Sequence, residues 1–345
     1  MTSRFLAVSL LAALVAVPAF AQDRVTLLNG TVMSDGRVKS FDVRKLVFTK
    51  GGNDETVATD QVGKVELGKF RDVFARGLRD AGIMLTMAKE QLTEKNPLLA
   101  QFAFVSAASQ YFDDDKPAEG VAALDEMAKG IPEAGLLPEV YRQKFEYYMG
   151  TGKGARDAAA VAKKYASDAL SGAWPGGLAI EAEFFGILAE RGQPKDFQAK
   201  LRTIASKAGG NNPMVASRAN VELANSLRES KDVDGAGKLY DEVLRKEGAD
   251  QSARAGALLG LGKITYEAAG TDKENFKKAL LMFLRVRLET KDAWPSLQSE
   301  ALYYASLAAA KWGGAEAGLI NARCRNILFS EFGGSEFAQR AKENR

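Results

Sequence analysis

The sequence DVDGAGKLYDEVLRKEGADQSARAGALLGLGKI, residues 232–264, decides the fold class of this chain. Its apolar residues recur every three to four positions on both sides of a short polar turn, a pattern that predicts two amphipathic helices. Such a short pair cannot bury its own apolar stripe. The pair must therefore stack on neighbours of the same kind, and this predicts a helical-repeat protein.

Prolines extend the repeat along the chain. They stand just before a helical pattern at positions 97, 138, 175, 213 and 295, where a missing backbone N–H is tolerated. The spacings are 41, 37, 38 and 82 residues, so one repeat, near Gln251, has lost its proline. Second helices are predicted to begin near Pro117, Gly154, Pro194, Asp232, Lys273 and Gly314. Both markers predict about six helix pairs with a period of about 40 residues.

The helix pairs resemble the tetratricopeptide-like repeat family. The closest match is Ala224 with Ala236 and Tyr240, where small residues let the paired helices approach and the aromatic ring fills the next groove. The resemblance implies a mainly α fold in which residues 97–345 form a curved solenoid.

The same register assigns candidate partner-binding residues. In tetratricopeptide-like proteins the first helix of each pair lines a concave groove. In the repeat before Asp232, these positions are Arg218, Asn225 and Arg228. We therefore expect the three side chains to contact a protein or an extended peptide in that groove.

Residues 24–67 carry strand patterns instead of helical ones. Strands are predicted at 25–28, 44–50, 56–59 and 63–67, with turns at Asn29-Gly30 and Gly51-Gly52. A unit of this size holds too small a core to be stable alone, so we expect it to pack on the following helix or to self-associate. Residues 68–96 then predict one long helix that connects this unit with the solenoid.

Part of the β segment resembles the first signature of Sm-like small barrels, a family that includes a bacterial RNA chaperone. The matching residues are Leu28-Asn29-Gly30, Gly36-Arg37-Val38-Lys39-Ser40-Phe41-Asp42 and Leu46-Val47-Phe48. The resemblance implies an Sm-like or SH3-like β barrel over residues 22–67. The loop that grips RNA in that family is replaced by Ala58-Thr59-Asp60-Gln61, and seven basic residues are balanced by seven acidic ones between positions 23 and 66. We therefore expect no nucleic-acid partner, and a role in docking or assembly.

The N-terminus predicts export. Arg4 precedes an apolar run at residues 5–17, and Pro18-Ala19-Phe20-Ala21 ends in the small-x-small pattern that a signal peptidase cleaves. The run is too short to span a bilayer comfortably. Residues 1–21 are thus predicted to be a signal peptide, whose removal leaves a periplasmic or secreted protein without a transmembrane anchor.

Composition excludes much chemistry. The chain has no histidine, which removes His-dependent catalytic triads and the commonest metal ligand. Cys324 is the only cysteine, so no intrachain disulfide can form. The net charge of +3 gives no global attraction to nucleic acid or anionic lipid, although a local patch can survive a neutral total. We expect no cofactor and no metal site.

The expected function is noncatalytic: an exported scaffold or adaptor that binds a protein or peptide partner in the cell envelope through the helical-repeat groove. The alternative is an envelope enzyme that acts on glycan or peptide with carboxylates from different repeats, because carboxylates alone can supply general acid–base chemistry. An acid pair facing a closed pocket would favour the enzyme. An open groove would favour the adaptor.

Overall fold

The computed structural model describes residues 22–150, 154–191, 194–246, 249–291 and 293–343. Within these ranges the chain is mainly α, with fifteen α-helices following a small five-stranded antiparallel sheet. The predicted signal peptide, residues 1–21, lies outside the described residues. Among the helices described, none combines the length and the apolar character that crossing a membrane requires.

The sheet occupies the N-terminal part of the described chain. Its strands are β1 Asp23–Leu27, β2 Val32–Phe41, β3 Lys45–Lys50, β4 Asn53–Ala58 and β5 Val62–Glu66. They lie in the order β4-β3-β2-β1-β5, and a short 3-10 turn, Thr59–Gln61, joins the two edge strands. Because β4 and β5 do not pair with each other, the sheet is open, and the expected closed barrel is wrong.

Helices fill the rest of the described chain. They are α1 Phe70–Val73, α2 Ala81–Thr93, α3 Pro97–Asp113, α4 Pro117–Gly130, α5 Leu137–Gly150, α6 Ala155–Ser171, α7 Gly176–Ala189, α8 Pro194–Ala208, α9 Pro213–Glu229, α10 Val233–Arg245, α11 Gln251–Ala268, α12 Lys273–Glu289, α13 Pro295–Trp312, α14 Ala315–Glu331 and α15 Glu336–Glu343. From α3 to α14, every helix begins within one residue of the position that the punctuation of the sequence predicts.

The sheet packs on the helices, as its small size predicts. Buried Leu46 and Phe48 form a cluster with Leu98 and Phe102 of α3. Gln101, also on α3, donates its side-chain N–H to the backbone carbonyl of Phe41 at 3.2 Å. Helix α3 thus covers the apolar face that a closed barrel would bury against its own strands.

The single connecting helix expected over residues 68–96 is instead two helices, α1 and α2. The turn between them brings Gly77 so close to α2 that an added Cβ would lie 2.8 Å from the Cα of Met84. Asp80 then caps α2 by accepting a hydrogen bond from the Ile83 N–H at 2.9 Å. Helix α2 packs along α3 and is therefore part of the helical array.

Strand β2 was not predicted, and its sequence explains why. Ser34-Asp35-Gly36 reads as a turn, yet it lies in the middle of the strand. Asp35 has a φ of 62°, and a Cβ on Gly36 would overlap the backbone of Thr49 on β3. This irregularity breaks the alternation of apolar and polar residues by which strands are recognised.

The helices form two layers. Each packs on its neighbours in sequence, and α5, α7, α9, α11 and α13, the first helices of successive pairs, also contact one another in that order. We call this the inner layer; the second helices, α4, α6, α8, α10, α12 and α14, form the outer layer. The arrangement is compatible with a helical-repeat solenoid.

Ion pairs link neighbouring helices of the inner layer. The partners lie 39, 39 and 37 residues apart, close to one repeat, in the pairs Arg142–Glu181, Arg228–Glu267 and Lys263–Glu300. The three basic side chains are between 14 and 25 % exposed, so water screens these pairs less than it screens pairs at the surface. The pairs therefore hold each repeat in register with the next.

The row of helices curves until distant parts meet. Ser296, at the start of α13, donates its backbone N–H and its hydroxyl to Glu146 of α5, at 3.4 and 3.3 Å. These two residues are 150 positions apart in the sequence. After α14, Gly334 lies so close to Asp115 that a Cβ on the glycine would overlap the carboxylate. The first and last helix pairs are thus in contact.

Candidate functional site

Two surfaces are candidates for a functional site. The first, which we call the inner face, carries polar side chains of the inner layer: Arg142, Glu146, Glu181, Arg218, Glu222, Asn225, Arg228, Lys263, Glu267 and Glu300. The second is an open cavity on the other side of α9. The residues predicted to bind a partner all lie on α9 and on the inner face.

Arg218 is already bound within the protein. Its Nε and Nη2 donate to the two carboxylate oxygens of Asp250 at 2.7 and 3.2 Å. Its guanidinium lies over the Trp294 ring, 4.4 Å from the ring centroid. Asp250 is also the N-cap of α11, where it accepts a hydrogen bond from Ala253. Arg218 therefore joins α9 to the starts of both α11 and α13.

The structure brings Asn225 and Arg228 into one network. The Tyr240 hydroxyl donates to the Asn225 side-chain oxygen at 2.6 Å, and Arg228 interacts with the same tyrosine. Arg228 also donates to Glu267 at 2.6 Å. Burial by itself would lower the pKa of Arg228, but the charge of Glu267 raises it above its ordinary value. Arg218 belongs to a separate network.

The acids of the inner face are also engaged. Glu181 is fully buried and accepts a bidentate pair of hydrogen bonds from Arg142, at 2.7 and 2.8 Å. Its second oxygen also accepts the Tyr165 hydroxyl at 2.8 Å. Sequence reasoning did not single out this triad, because its members come from three helices and only packing brings them together.

The pKa of Glu222 on this face is affected by an acid from another repeat. Burial raises the pKa of Glu222 on α9, and the charge of Glu300 on α13 raises it further. A hydrogen bond from Asn225 acts in the opposite direction. Glu300 is paired with Lys263. The two carboxylates are therefore neighbours held inside a polar network.

Glu146, on α5, has a strongly raised pKa. Burial raises its pKa to about 8, although its hydrogen bonds from Ser296 and the charge of Arg218 lower it. The charge of Glu139, two helical turns earlier on α5, also raises this pKa. A carboxyl group with this pKa carries its proton at neutral pH. It accepts the Ser296 hydrogen bonds without placing a full charge in the interior.

A repeated tripeptide lies at the start of two helices whose first backbone amides are bound by carboxyl groups from distant parts of the chain. Ala-Trp-Pro occurs at residues 173–175 and again at 293–295, just before α7 and α13. The N-cap residues of these helices, Pro175 and Trp294, provide no side-chain cap. Asp60 accepts the Gly177 N–H at 2.9 Å in the first case, and Glu146 binds Ser296 in the second. Each helix start is thus capped by an acid from a distant part of the chain.

The second candidate surface, which we call the α8–α10 groove, is an open cavity of about 780 Å³. It lies where α8, the end of α9 and the start of α10 meet, and its lining consists of Lys195, Asp196, Gln198, Arg202, Leu227, Ser230 and Asp232. Sequence reasoning missed this groove because the lining comes from three helices, although Asp232 opens the stretch that predicted the repeat.

The polar groups of the groove differ in their partners. Gln198 donates to Ser226 and Ser230, at 3.2 and 3.3 Å, and Asp232 caps α10 through the Gly235 N–H at 2.9 Å. Within the described ranges, Lys195, Asp196 and Arg202 take part in no ion pair. These three charges face a cavity beside an apolar side chain, Leu227, and stay available to a ligand.

Candidate metal and thiol chemistry is limited in the part of the chain that the structure describes. No group of three or more histidine, cysteine, aspartate or glutamate side chains is arranged to hold a metal ion there. Cys324 is buried in α14, and burial raises the pKa of its thiol to about 11. This thiol is therefore a poor nucleophile at neutral pH.

What the two surfaces do must be inferred from their geometry. Most charged side chains of the inner face have an ionic partner in the described structure, whereas Lys195, Asp196 and Arg202 of the α8–α10 groove have none there. No protein-family model matches the chain, and no curated protein matches its sequence.

Proposed function

We propose that the protein is an exported, noncatalytic scaffold or adaptor that binds a protein or peptide partner of the cell envelope through tetratricopeptide-like helix pairs. The observation that carries this proposal is the α8–α10 groove, an open cavity with unpaired charges of both signs. Stacked helix pairs offer extended surfaces for binding other proteins. The predicted N-terminal signal peptide supports a location in the envelope.

The groove suits a partner better than the inner face does. A ligand entering the inner face would have to separate partly buried pairs such as Arg218–Asp250, and breaking such a pair leaves an uncompensated charge. In the groove, Lys195 and Arg202 lose only water when they bind an acidic group. The partner therefore gains charge-assisted hydrogen bonds that replace none already present.

The lining defines the chemistry of the partner segment. Lys195 and Arg202 favour an acidic side chain or a terminal carboxylate, whereas Asp196 favours a basic one. Leu227 provides an apolar contact in the same cavity. We therefore expect an extended segment with charges of both signs and an apolar residue, and not a uniformly charged polymer.

Charge reversal in the groove tests the proposal. The variant Lys195→Glu/Arg202→Glu and the wild type are used as bait in the envelope fraction, and co-purified proteins are identified by mass spectrometry. We expect proteins enriched on the wild type to fall about tenfold or more on the variant, because two charge-assisted contacts become repulsive. The melting temperature should be unchanged, since neither residue has an ionic partner in the described structure.

A matched control carries the same change in charge elsewhere. Lys129 on α4 and Lys163 on α6 are exposed and outside the groove. The variant Lys129→Glu/Lys163→Glu should retain every partner that the wild type retains. If the groove variant retains the same partners as this control, the α8–α10 groove is not the binding surface.

A further inference from the structure

We propose that the outer face of α12 binds an anionic membrane surface. The residues that form it, which we call the α12 stripe, are Lys278, Leu281, Arg285 and Leu288. This inference is independent of the α8–α10 groove: a protein held at a membrane by one face can bind a partner with another.

The α12 stripe follows from the helical period. Its positions are spaced by three, four and three residues, so the four side chains lie along one side of the helix. The opposite side, with Phe276, Phe283 and Val286 among others, is buried against α11 and α13. The two leucines of the stripe are 54 and 72 % exposed. Helix α12 is thus apolar on its outer side as well as on its inner side.

The next outer helix extends this surface. Leu319 of α14 is 76 % exposed, and Arg323 follows it by one turn on an exposed position. Arg287 of α12 pairs with Glu331 of α14 and lies over the Phe332 ring, which brings the two helices side by side. Helix α14 therefore also exposes a leucine and an arginine one turn apart, as α12 does.

The charge of α12 selects an anionic occupant. The helix contains five basic and two acidic residues, whereas the entire chain has a net charge of only +3. One of the acids, Glu289, is paired with Arg285 through two hydrogen bonds of 2.6 and 3.2 Å. The remaining positive charge on an outer helix attracts anionic headgroups over roughly one Debye length, about 8 Å at physiological ionic strength.

The shape of the surface favours a lipid layer over a protein. The stripe lies on the outer layer of helices, and its leucines are more than half exposed, so they protrude from the surface. A protein partner would need a matching pocket, whereas a headgroup layer deforms around protruding side chains. Leu281 and Leu288 would then enter the boundary between headgroups and acyl chains, while Lys278, which is exposed and takes part in no ion pair in the described structure, contacts the phosphates.

Vesicle flotation tests this inference with the mature full-length chain. Vesicles of phosphatidylcholine are compared with vesicles that also contain phosphatidylglycerol. We expect flotation with the anionic vesicles alone, and its loss at high salt. The variant Leu281→Asn/Leu288→Asn should reduce the bound fraction about tenfold or more, because both apolar anchors are removed. The matched control is Leu170→Asn on α6, which alters a leucine that is 84 % exposed but stands apart from the stripe.

Each other outcome counts against the inference. Equal flotation of the double variant and the control, equal binding to neutral vesicles, or no flotation of the wild type would each overturn it. If analytical ultracentrifugation shows a wild-type dimer that the double variant disrupts, the stripe instead joins two copies of the chain. The groove variant Lys195→Glu/Arg202→Glu should float like the wild type, so failure here is distinguishable from failure of the adaptor function.

Discussion

At the scale of single residues, Arg218 has a role that differs from the predicted one. It was expected to offer its guanidinium to a partner. In the structure, its Nε and Nη2 donate to Asp250 and its guanidinium plane lies over the Trp294 ring, whereas its Nη1 is buried and has no hydrogen-bond partner among the described residues. The residue therefore holds repeats together, whatever else it does.

This changes what replacement of the predicted residues should do. We expect Arg218→Ala/Asn225→Ala/Arg228→Ala to lose roughly 3 kcal/mol or more of unfolding free energy, because Asp250, Tyr240 and Glu267 lose their partners. Urea denaturation followed by circular dichroism measures the loss. The groove variant Lys195→Glu/Arg202→Glu is the comparison, and a triple variant as stable as that one would contradict the networks described.

Glu146 makes stability depend on pH. Because its folded pKa of about 8 is above the ordinary value of 4.5, the folded state binds the proton more tightly than the unfolded state does. The stability that this provides is complete below the ordinary pKa and is lost as pH rises through about 8.

The variant Glu146→Gln isolates this effect, since an amide resembles a protonated carboxyl group and does not titrate. At low pH the two proteins should have similar melting temperatures. By about pH 9 the wild type should be less stable than the variant by on the order of 5 kcal/mol, since each unit of difference between the two pKa values is worth about 1.4 kcal/mol. Thermal melts at several pH values provide the measurement, and parallel curves for the two proteins would show that Glu146 is not buried as described.

At the scale of elements, the Ala-Trp-Pro segments leave the N-termini of α7 and α13 without a side-chain cap from their own residues. A helix that begins after Trp-Pro has no short polar side chain to cap its first amides. Asp60 supplies this cap for α7 by accepting a hydrogen bond from the Gly177 N–H, and it lies in the turn that joins β4 and β5. The cap therefore also attaches the sheet to the inner layer of helices.

Two aspartates allow this attachment to be measured. Asp60→Ala and Asp80→Ala each remove one helix cap, of α7 and α2, and each should lower stability by about 1 kcal/mol. Hydrogen exchange should separate them. The Asp80 variant should exchange faster near α2 only, whereas the Asp60 variant should exchange faster in α7 and also in β4 and β5. The same local pattern in both variants would mean that Asp60 does not couple the sheet to the helices.

At the scale of the whole molecule, features that depend on residues close together in the sequence could be predicted, and features that depend on distant residues could not. Helix starts at Pro97, Pro117 and Pro213 were predicted because caps and prolines act on their immediate neighbours. The open sheet was not, because whether β4 meets β5 depends on α3, which supplies Leu98 and Phe102 to the apolar face.

The same distinction between local and distant residues holds for the candidate site. The helical register placed Arg218, Asn225 and Arg228 correctly on the inner layer, because that placement needs only the 3.6-residue period. Their partners could not be predicted, since Asp250 and Glu267 lie about one repeat away and Trp294 lies two helix pairs away. The α8–α10 groove was missed for the same reason.

The contact between Glu146 and Ser296 has a consequence for how the molecule unfolds. An open row of repeats can fray from its ends, because a terminal unit has only one neighbour. Here the second helix pair contacts the sixth, and Asp115, between α3 and α4, lies against Gly334, after α14. Each terminal unit therefore has a second neighbour. Release of one unit removes support from two others, and denaturation should proceed as one cooperative step where an unclosed solenoid would melt piece by piece.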